Sequence, residues 1–347
     1  MKKFKGFLLA FLLVLSLSSC RISFNYNNSS NESIASANYS ETTDSDFVLP
    51  ESDNPDGYVV TFDCNNGDIL TTTSNSKNTV SNPGTPTKVA ATFLGWYSDE
   101  DCTKEYNFSK IITSDITIYA GWEQDYKELT NYIYQNTIKA NVKIMSVNYK
   151  SSFGKKTYAS SYSLGSGVIF YETSTCYYVL TNNHVCAVSS GYTGSEYTIY
   201  DAYSNEYSAT LIGMSADYDL AILRFNIGDE SLTSLNLIDH NAKEGTQVIA
   251  MGNPLGLNNT INFGELTEYR TYTPNSDTLD LNNVTFSVSC STAEIDSGSS
   301  GGALLDDNLN LIGINFGSAT SSVTGEFVRS YAIPVLKIRE FINLYLS

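Results

Sequence analysis

Histidine, tryptophan and proline are scarce in this sequence: 2, 2 and 7 residues among 347. Two histidines confine any imidazole chemistry to His184 or His240. Basic residues are also few. Lys and Arg number 20 against 37 Asp and Glu, for a formal net charge of -17. A surface that acidic repels phosphate backbones and anionic headgroups, so nucleic acid is not an expected partner. Charged residues of all kinds make up only 16%, which argues against long charged helices and for a β-rich extracellular protein. The six cysteines include no pair at metal-ligand spacing, so neither a metal nor a cofactor is expected. Setting Cys20 aside leaves Cys64, Cys102, Cys176, Cys186 and Cys290. Bridges between Cys64 and Cys102 and between Cys176 and Cys186 are open, and so are buried free thiols.

What is present begins with a targeting signal. Lys2, Lys3 and Lys5 precede an apolar stretch from Gly6 to Leu17, too short to cross a bilayer comfortably. It runs into Leu17-Ser18-Ser19-Cys20, which resembles a bacterial lipoprotein signal. The resemblance implies removal of residues 1–19 and lipid on Cys20. The expected location is therefore extracytoplasmic, with the chain tethered to a bacterial cell membrane and exposed at the surface. Membrane contact is expected through this N-terminal lipid only. Residues 20–56 are rich in Ser, Asn, Thr and acids and poor in apolar side chains, which reads as a disordered linker.

Residues 57–123 change character. Tyr58-Val59-Val60-Thr61-Phe62, Phe93-Leu94-Gly95-Trp96-Tyr97 and Ile116 to Trp122 are β-type runs, with Pro83-Gly84 and Pro86 marking turns. Together they resemble the Listeria–Bacteroides repeat, which implies a β-grasp-like module with a spacer or contact role. Trp96 and Trp122 are expected in its small core.

Residues 124–347 form the third unit. A short helix is expected from Asp125 to Thr137. Strand-like runs follow at Val142–Val147, Gly167–Tyr171, Tyr177–Leu180, Tyr197–Tyr200, Leu220–Phe225, Gln247–Met251, Thr285–Val288, Ala303–Leu305, Leu311–Phe316 and Tyr331–Ile333. Many short strands at this spacing predict a mainly β sandwich or barrel. Pro334 to Leu346 carries apolar residues at helical spacing, so a C-terminal helix should pack on it.

Serine is a weak nucleophile without a base, and attack on a peptide carbonyl creates an oxyanion that needs fixed donors. Ser300 lies in Asp296-Ser297-Gly298-Ser299-Ser300-Gly301-Gly302, directly before an apolar strand. A glycine-bearing turn there can aim the Gly298 and Ser300 N–H groups at one point. His184 ends an apolar strand in a polar turn, where a base can face substrate. His240 sits in a loop-like stretch without a nucleophile nearby and reads as a surface residue. Asp219 immediately precedes an apolar strand and can orient an imidazole. Asp217 is the rival acid, or a turn former.

The order His, Asp, Ser is that of chymotrypsin-like proteases. The region closely resembles the HtrA/Deg-type trypsin-like serine proteases. The matching pieces are Leu164 to Ile169, Val179 to Val185, Asp219 to Leu223, Ile249 to Gly256, Gly298 to Leu304, Leu311 to Asn315 and Tyr331 to Pro334. The resemblance implies a chymotrypsin-like double β-barrel with the triad His184, Asp219 and Ser300 between two six-stranded barrels. It implies an oxyanion hole at Gly298 and Ser300, a substrate-pairing edge at Asn315-Phe316-Gly317, and a specificity pocket near Ile295, Asn315 and Ser330. A small or medium apolar residue is expected before the scissile bond. Ser299 and Asp296-Ser297 depart from the family's usual asparagine and asparagine-proline. No PDZ domain follows the barrel within this sequence.

The expected function is a serine endopeptidase acting on exposed or unfolded protein, with protein or peptide substrates as partners. A homo-oligomer, a trimer by family analogy, is left open. The competing expectation is a non-catalytic surface adhesin built on a protease-like fold.

Overall fold

The computed structural model describes residues 57–346 except 76, 229–230, 255–258, 272–282 and 322. The signal segment, Cys20 and the linker to residue 56 lie outside the described residues, as do Leu255 and Gly256.

The first unit is a four-stranded sheet of β1 (Val59–Asp63), β2 (Ile69–Thr73), β3 (Ala91–Tyr97) and β4 (Ile116–Gln124), in the order β2-β1-β4-β3. The central pair, β1 and β4, is parallel, so first and last strands meet in the middle as in a β-grasp. Alternation along β1 puts Val60 and Phe62 on the buried face, where they meet Trp96, Ile118 and Ala120. Trp96 is 2% exposed, with Phe62 and Phe93 edge-on at 5.0 and 5.6 Å. Its indole N–H donates to Gly84 O, and that of Trp122 to Cys64 O. Each tryptophan thus has an apolar body in the core and a satisfied polar tip.

Asp125 ends this unit and caps α1 (Tyr126–Gln135), its carboxylate accepting from Lys127 N and Glu128 N. Leu129 and Ile133, four apart, turn the helix's apolar stripe into the core of the following barrel.

That barrel is formed by β5 (Asn141–Ser152), β7 (Ser163–Glu172), β8 (Cys176–Thr181), β9 (Gly194–Tyr200), β10 (Glu206–Ser215) and β11 (Leu220–Asn226). Pairing of β5 with β9 closes it. β6 (Lys155–Tyr158) pairs only with the end of β5, as a two-stranded ribbon beyond the barrel wall. β8 and β11 are nearly all buried, which explains their unbroken apolar runs.

The second barrel is closed by β12 (Gln247–Gly252), β13 (Thr260–Thr271), β14 (Ser287–Ser291), β15 (Ala303–Asp306), β16 (Leu311–Thr320) and β17 (Phe327–Pro334). The fold is therefore mainly β, a chymotrypsin-like pair of six-stranded barrels behind a small repeat module. After β8 comes a one-turn α2 (Asn183–Cys186), which carries His184. The chain ends in α3 (Val335–Tyr345), which buries Val335, Ile338, Phe341 and Ile342.

The module touches the barrels through several contacts. Val89 and Ala90 pack on the large barrel cluster. Lys88 pairs with Asp307 at 2.8 Å, with its own side chain only 5% exposed. Glu100 pairs with Lys243. All five described cysteines are free thiols, so neither bridge left open by the sequence is formed. No described helix is long and apolar enough to cross a membrane.

Candidate active site

His184 owes its position to what surrounds it in the chain. Val185 and Cys186 are buried and pin the α2 turn to the first barrel. Asn182, also buried, donates from Nδ2 to the Asp219 carbonyl at 2.9 Å and ties the end of β8 to the start of β11. Asp219 has φ +48, a left-handed conformation that aspartate tolerates better than most residues. This bend turns its carboxylate back toward the α2 turn. His184 N donates to Oδ1 at 3.0 Å, and His184 Nδ1 lies 3.1 and 2.9 Å from Oδ1 and Oδ2.

The carboxylate is 1% exposed and the imidazole 27%. An ionised acid so buried needs such donors. With Nδ1 held as the donor, Nε2 is left as the acceptor. Asp217, the rival acid, is an exposed residue. His240 is exposed and meets only its neighbour Asp239. Cys186 is no competing nucleophile: burial, with the Asp219 charge added, pushes its thiol up to about 12.

Ser300 sits in a loop wound as two tight turns. Ser299 N donates to Asp296 O and Gly302 N to Ser299 O, both at 2.9 Å. Gly298 and Gly301 have φ +98 and +87. Gly301 N donates to Asn315 O, and Asn315 N to Gly302 O, which fastens the loop to β16. From the other barrel, Ser166 N donates to Ser300 O at 2.7 Å and Ser166 Oγ to Gly298 O at 2.8 Å. Asn253 N in turn donates to Ser166 Oγ. Between Gly298 and Gly302, the N–H groups of Ser299, Gly301 and Gly302 are thus engaged. Those of Gly298 and Ser300 have no partner among the described residues.

The two halves of the site meet at Gly165. A Cβ there would stand 2.6 Å from a Val185 methyl and 3.1 Å from Ser300 O. The residue after His184 and the backbone of Ser300 therefore close on the same point. The Ser300 hydroxyl itself donates to Phe316 O at 3.2 Å and makes no hydrogen bond to His184. Catalytic hydrogen bonds are often unformed before substrate arrives.

The expected substrate-contact residues are differently disposed. Ile295 is 7% exposed and faces the second-barrel core, beside a cleft lined by Met251, Gly252, Asp296 and Ser299. Asn315 is buried, its amide donating to Ala303 O. The Phe316 ring is buried and stacked on Tyr331. These two side chains belong to the core. β15 leaves β16 at Ile314, so from Phe316 to Ala319 the strand has β17 on one side and no described strand on the other. The Ser330 hydroxyl is bonded to Ala293 O.

Ser166, Asn182 and Asn253 hold the site together, and reading the sequence assigned them no role. Their signals were the Gly165-Ser166-Gly167 and Gly252-Asn253-Pro254 runs and the asparagine pair before His184. Among the described residues, no group of three or more His, Cys, Asp or Glu is placed to hold a metal ion.

Residues 165–314 match the trypsin-like peptidase domain, and residues 58–121 match the Listeria-Bacteroides repeat domain. The chain is 26% identical over 217 residues to a serine protease HtrA-like of Staphylococcus aureus (strain USA300), covering 60% of this chain and 27% of that protein. It is 34% identical over 156 residues to the serine protease Do-like HtrA of Bacillus subtilis (strain 168), covering 44% and 32%. A solved HtrA-type protease with a tripeptide aligns at 26% identity and TM-score 0.48 over 63% of this chain and 64% of that one. The chain spans only 27% and 32% of the length of these two curated relatives. It carries a trypsin-like peptidase domain behind a Listeria-Bacteroides repeat, and HtrA-type serine proteases are its homologues.

Proposed function

We propose that the chain is a serine endopeptidase that cleaves exposed or unfolded protein segments, with Ser300 as nucleophile, His184 as general base and Asp219 as the orienting acid. The observation that carries this reading is the Asp219–His184 contact at 2.9 Å beside a serine loop with two unengaged N–H groups.

A substrate strand would add to the open edge of β16, its backbone pairing with residues from Phe316 onward. An N–H of that strand would take the Phe316 carbonyl, which releases the Ser300 hydroxyl toward His184 Nε2. The imidazole then removes the proton as Oγ attacks the carbonyl carbon. Asp219 keeps the ring in the Nδ1–H tautomer and stabilises the imidazolium without itself being protonated. The Gly298 and Ser300 N–H groups receive the developing oxyanion. One such donor is worth on the order of 10²–10³ in rate. The imidazolium next gives its proton to the leaving amine, and water resolves the acyl-enzyme through the same base.

The lipid on Cys20 and the cell-surface location belong to the same proposal. They rest on the tetrapeptide Leu17 to Cys20 after an apolar stretch. A Cys20→Ser change should shed the protein from cells into the medium.

Casein hydrolysis by the wild type and by Ser300→Ala tests the catalytic reading, together with covalent labelling by a fluorophosphonate. Loss of both cleavage and label in the variant is expected. Equal residual cleavage would defeat the assignment and leave a protease-like binding protein.

A further inference from the structure

The ribbon formed by the end of β5 and β6 is at odds with its surroundings. Every residue from Lys150 to Tyr158 is exposed, and the ribbon has no strand partner beyond itself. Its turn is Phe153-Gly154, with φ +48 and +77. Two successive left-handed residues make the kind of two-residue hairpin turn that favours asparagine or aspartate before glycine. Phenylalanine is a poor choice there for backbone reasons. It is also fully in solvent, at 107% relative exposure, the highest of any large apolar side chain among the described residues. A residue that violates backbone preference and hydration together, with nothing packed on it, marks a contact made elsewhere.

The residues behind the tip say what that contact is. Pairing runs Ser152 with Lys155, Ser151 with Lys156, Lys150 with Thr157 and Tyr149 with Tyr158. Moving back from the tip, one meets an aromatic ring, then three lysines, then a layer of tyrosines. Lys156 lies over the Tyr149 ring at 4.3 Å and Lys150 over that of Tyr192 at 5.5 Å. Tyr158 and Tyr162 are 49% and 60% exposed. Among the described residues, Glu196 is the one carboxylate bonded to the ribbon, at Lys156 and Tyr158.

We propose that this ribbon is a contact for an anionic bilayer surface, with Phe153 entering the acyl boundary and Lys150, Lys155 and Lys156 at the phosphates. The layering is that of a bilayer interface: apolar tip, basic side chains, then tyrosines at headgroup level. A convex tip enters a fluid interface directly, whereas a protein partner would need a matching pocket.

The overall charge of -17 does not oppose this. Strand rise places the three lysines within about 10 Å of the tip. That is roughly one Debye length at physiological salt, so the acidic body behind them is largely screened from the membrane. The ribbon is a contact separate from any lipid on Cys20. A lipid at one point and a basic contact at another would together orient the folded body on the surface. The base of the ribbon is bonded to the loop that follows His184, through Asn148 with Ser189 and Tyr149 O with Thr193 N. Docking would therefore fix the orientation of the cleft relative to the surface.

The test uses the full chain carrying Phe153→Trp, with wild type as background for Trp96 and Trp122. Vesicles of mixed phosphatidylglycerol and phosphatidylcholine should shift the emission of the added indole to the blue. Brominated acyl chains should quench it. Pure phosphatidylcholine should do neither. Adding Lys150→Gln, Lys155→Gln and Lys156→Gln should raise the lipid concentration for half-maximal quenching about a hundredfold, at about fivefold per lysine. Circular dichroism and peptide hydrolysis should be unchanged in all variants, which separates this contact from folding and catalysis. An indole unmoved by anionic vesicles would overturn the proposal, as would quenching indifferent to lipid charge. A blue shift that grows with protein concentration without lipid would also overturn it, in favour of a second copy on the tip.

Discussion

Gly301 offers a clean measure of how tightly the nucleophile loop is built. Its φ is +87, and an added Cβ would stand 2.1 Å from Ser166 O and 2.2 Å from Thr181 Oγ1. Gly245 has nearly the same φ, +89, with nothing within 4 Å of the corresponding point. Alanine at either position costs about 1–2 kcal/mol for the left-handed backbone. At Gly245 that is the whole effect. At Gly301 the methyl must also push back the β7 carbonyl, at about 1–3 kcal/mol for overpacking. It also disrupts the buried 2.7 Å bond from Thr181 Oγ1 to Ser166 O, worth about 1 kcal/mol. Gly301→Ala should therefore lose about 2–4 kcal/mol more than Gly245→Ala in urea unfolding, with an unchanged m-value. Because Ser166 N holds Ser300 O, the same push displaces the nucleophile. Peptide hydrolysis by the Gly301 variant should fall on the order of 10²-fold while the Gly245 variant stays near wild type. Equal stability losses, within about 0.5 kcal/mol, would refute the close-approach reasoning.

Asp219→Asn should retain the fold and lower kcat on the order of 10³–10⁴-fold, by favouring the wrong His184 tautomer. A loss under tenfold in steady-state hydrolysis would remove Asp219 from the mechanism. Asp306 is buried, and desolvation raises its carboxyl to about 6 despite hydrogen bonds from Asn308 and Asn310. Its folded value lies above its unfolded one, so its contribution to stability is fully present below about pH 4 and is lost as pH rises toward about 6. Relative to Asp306→Asn, the wild type should lose on the order of 2–3 kcal/mol across that window in urea unfolding. A difference flat with pH would contradict it. Asp307→Ala strands the buried Lys88 ammonium and should destabilise by about 1–3 kcal/mol, reduced because Asp307 is partly exposed. The double change with Lys88→Met should recover much of this, and a fully additive loss in calorimetry would argue against the pair.

Reading from sequence to structure, the apolar runs that became β8, β11, β12 and β16 were legible because a closed barrel buries them. β10 and β13 were not. Each alternates polar with apolar residues and carries a glycine, Gly213 or Gly264, of the kind that reads as a break. In the folded chain these glycines admit close neighbours. A Cβ at Gly213 would meet the Tyr345 ring, and one at Gly264 the Ala293 backbone. The partners are 132 and 29 residues away in sequence, so no local pattern signals them.

The sequence by itself settled composition-level facts and the inventory of reactive groups. These are an acidic chain, two histidines, a serine directly before two glycines and a linear order of His, Asp and Ser. Those follow from residue identity and spacing alone. The tertiary structure decided which aspartate meets His184, because a left-handed bend at Asp219 turns one carboxylate inward and leaves Asp217 outside. It turned the Asn315 and Phe316 side chains into core. It parked the Ser300 hydroxyl on Phe316 O and left two N–H groups of its loop without a partner among the described residues. Each of these depends on where segments distant in the chain pack, and packing geometry is a property of the whole fold.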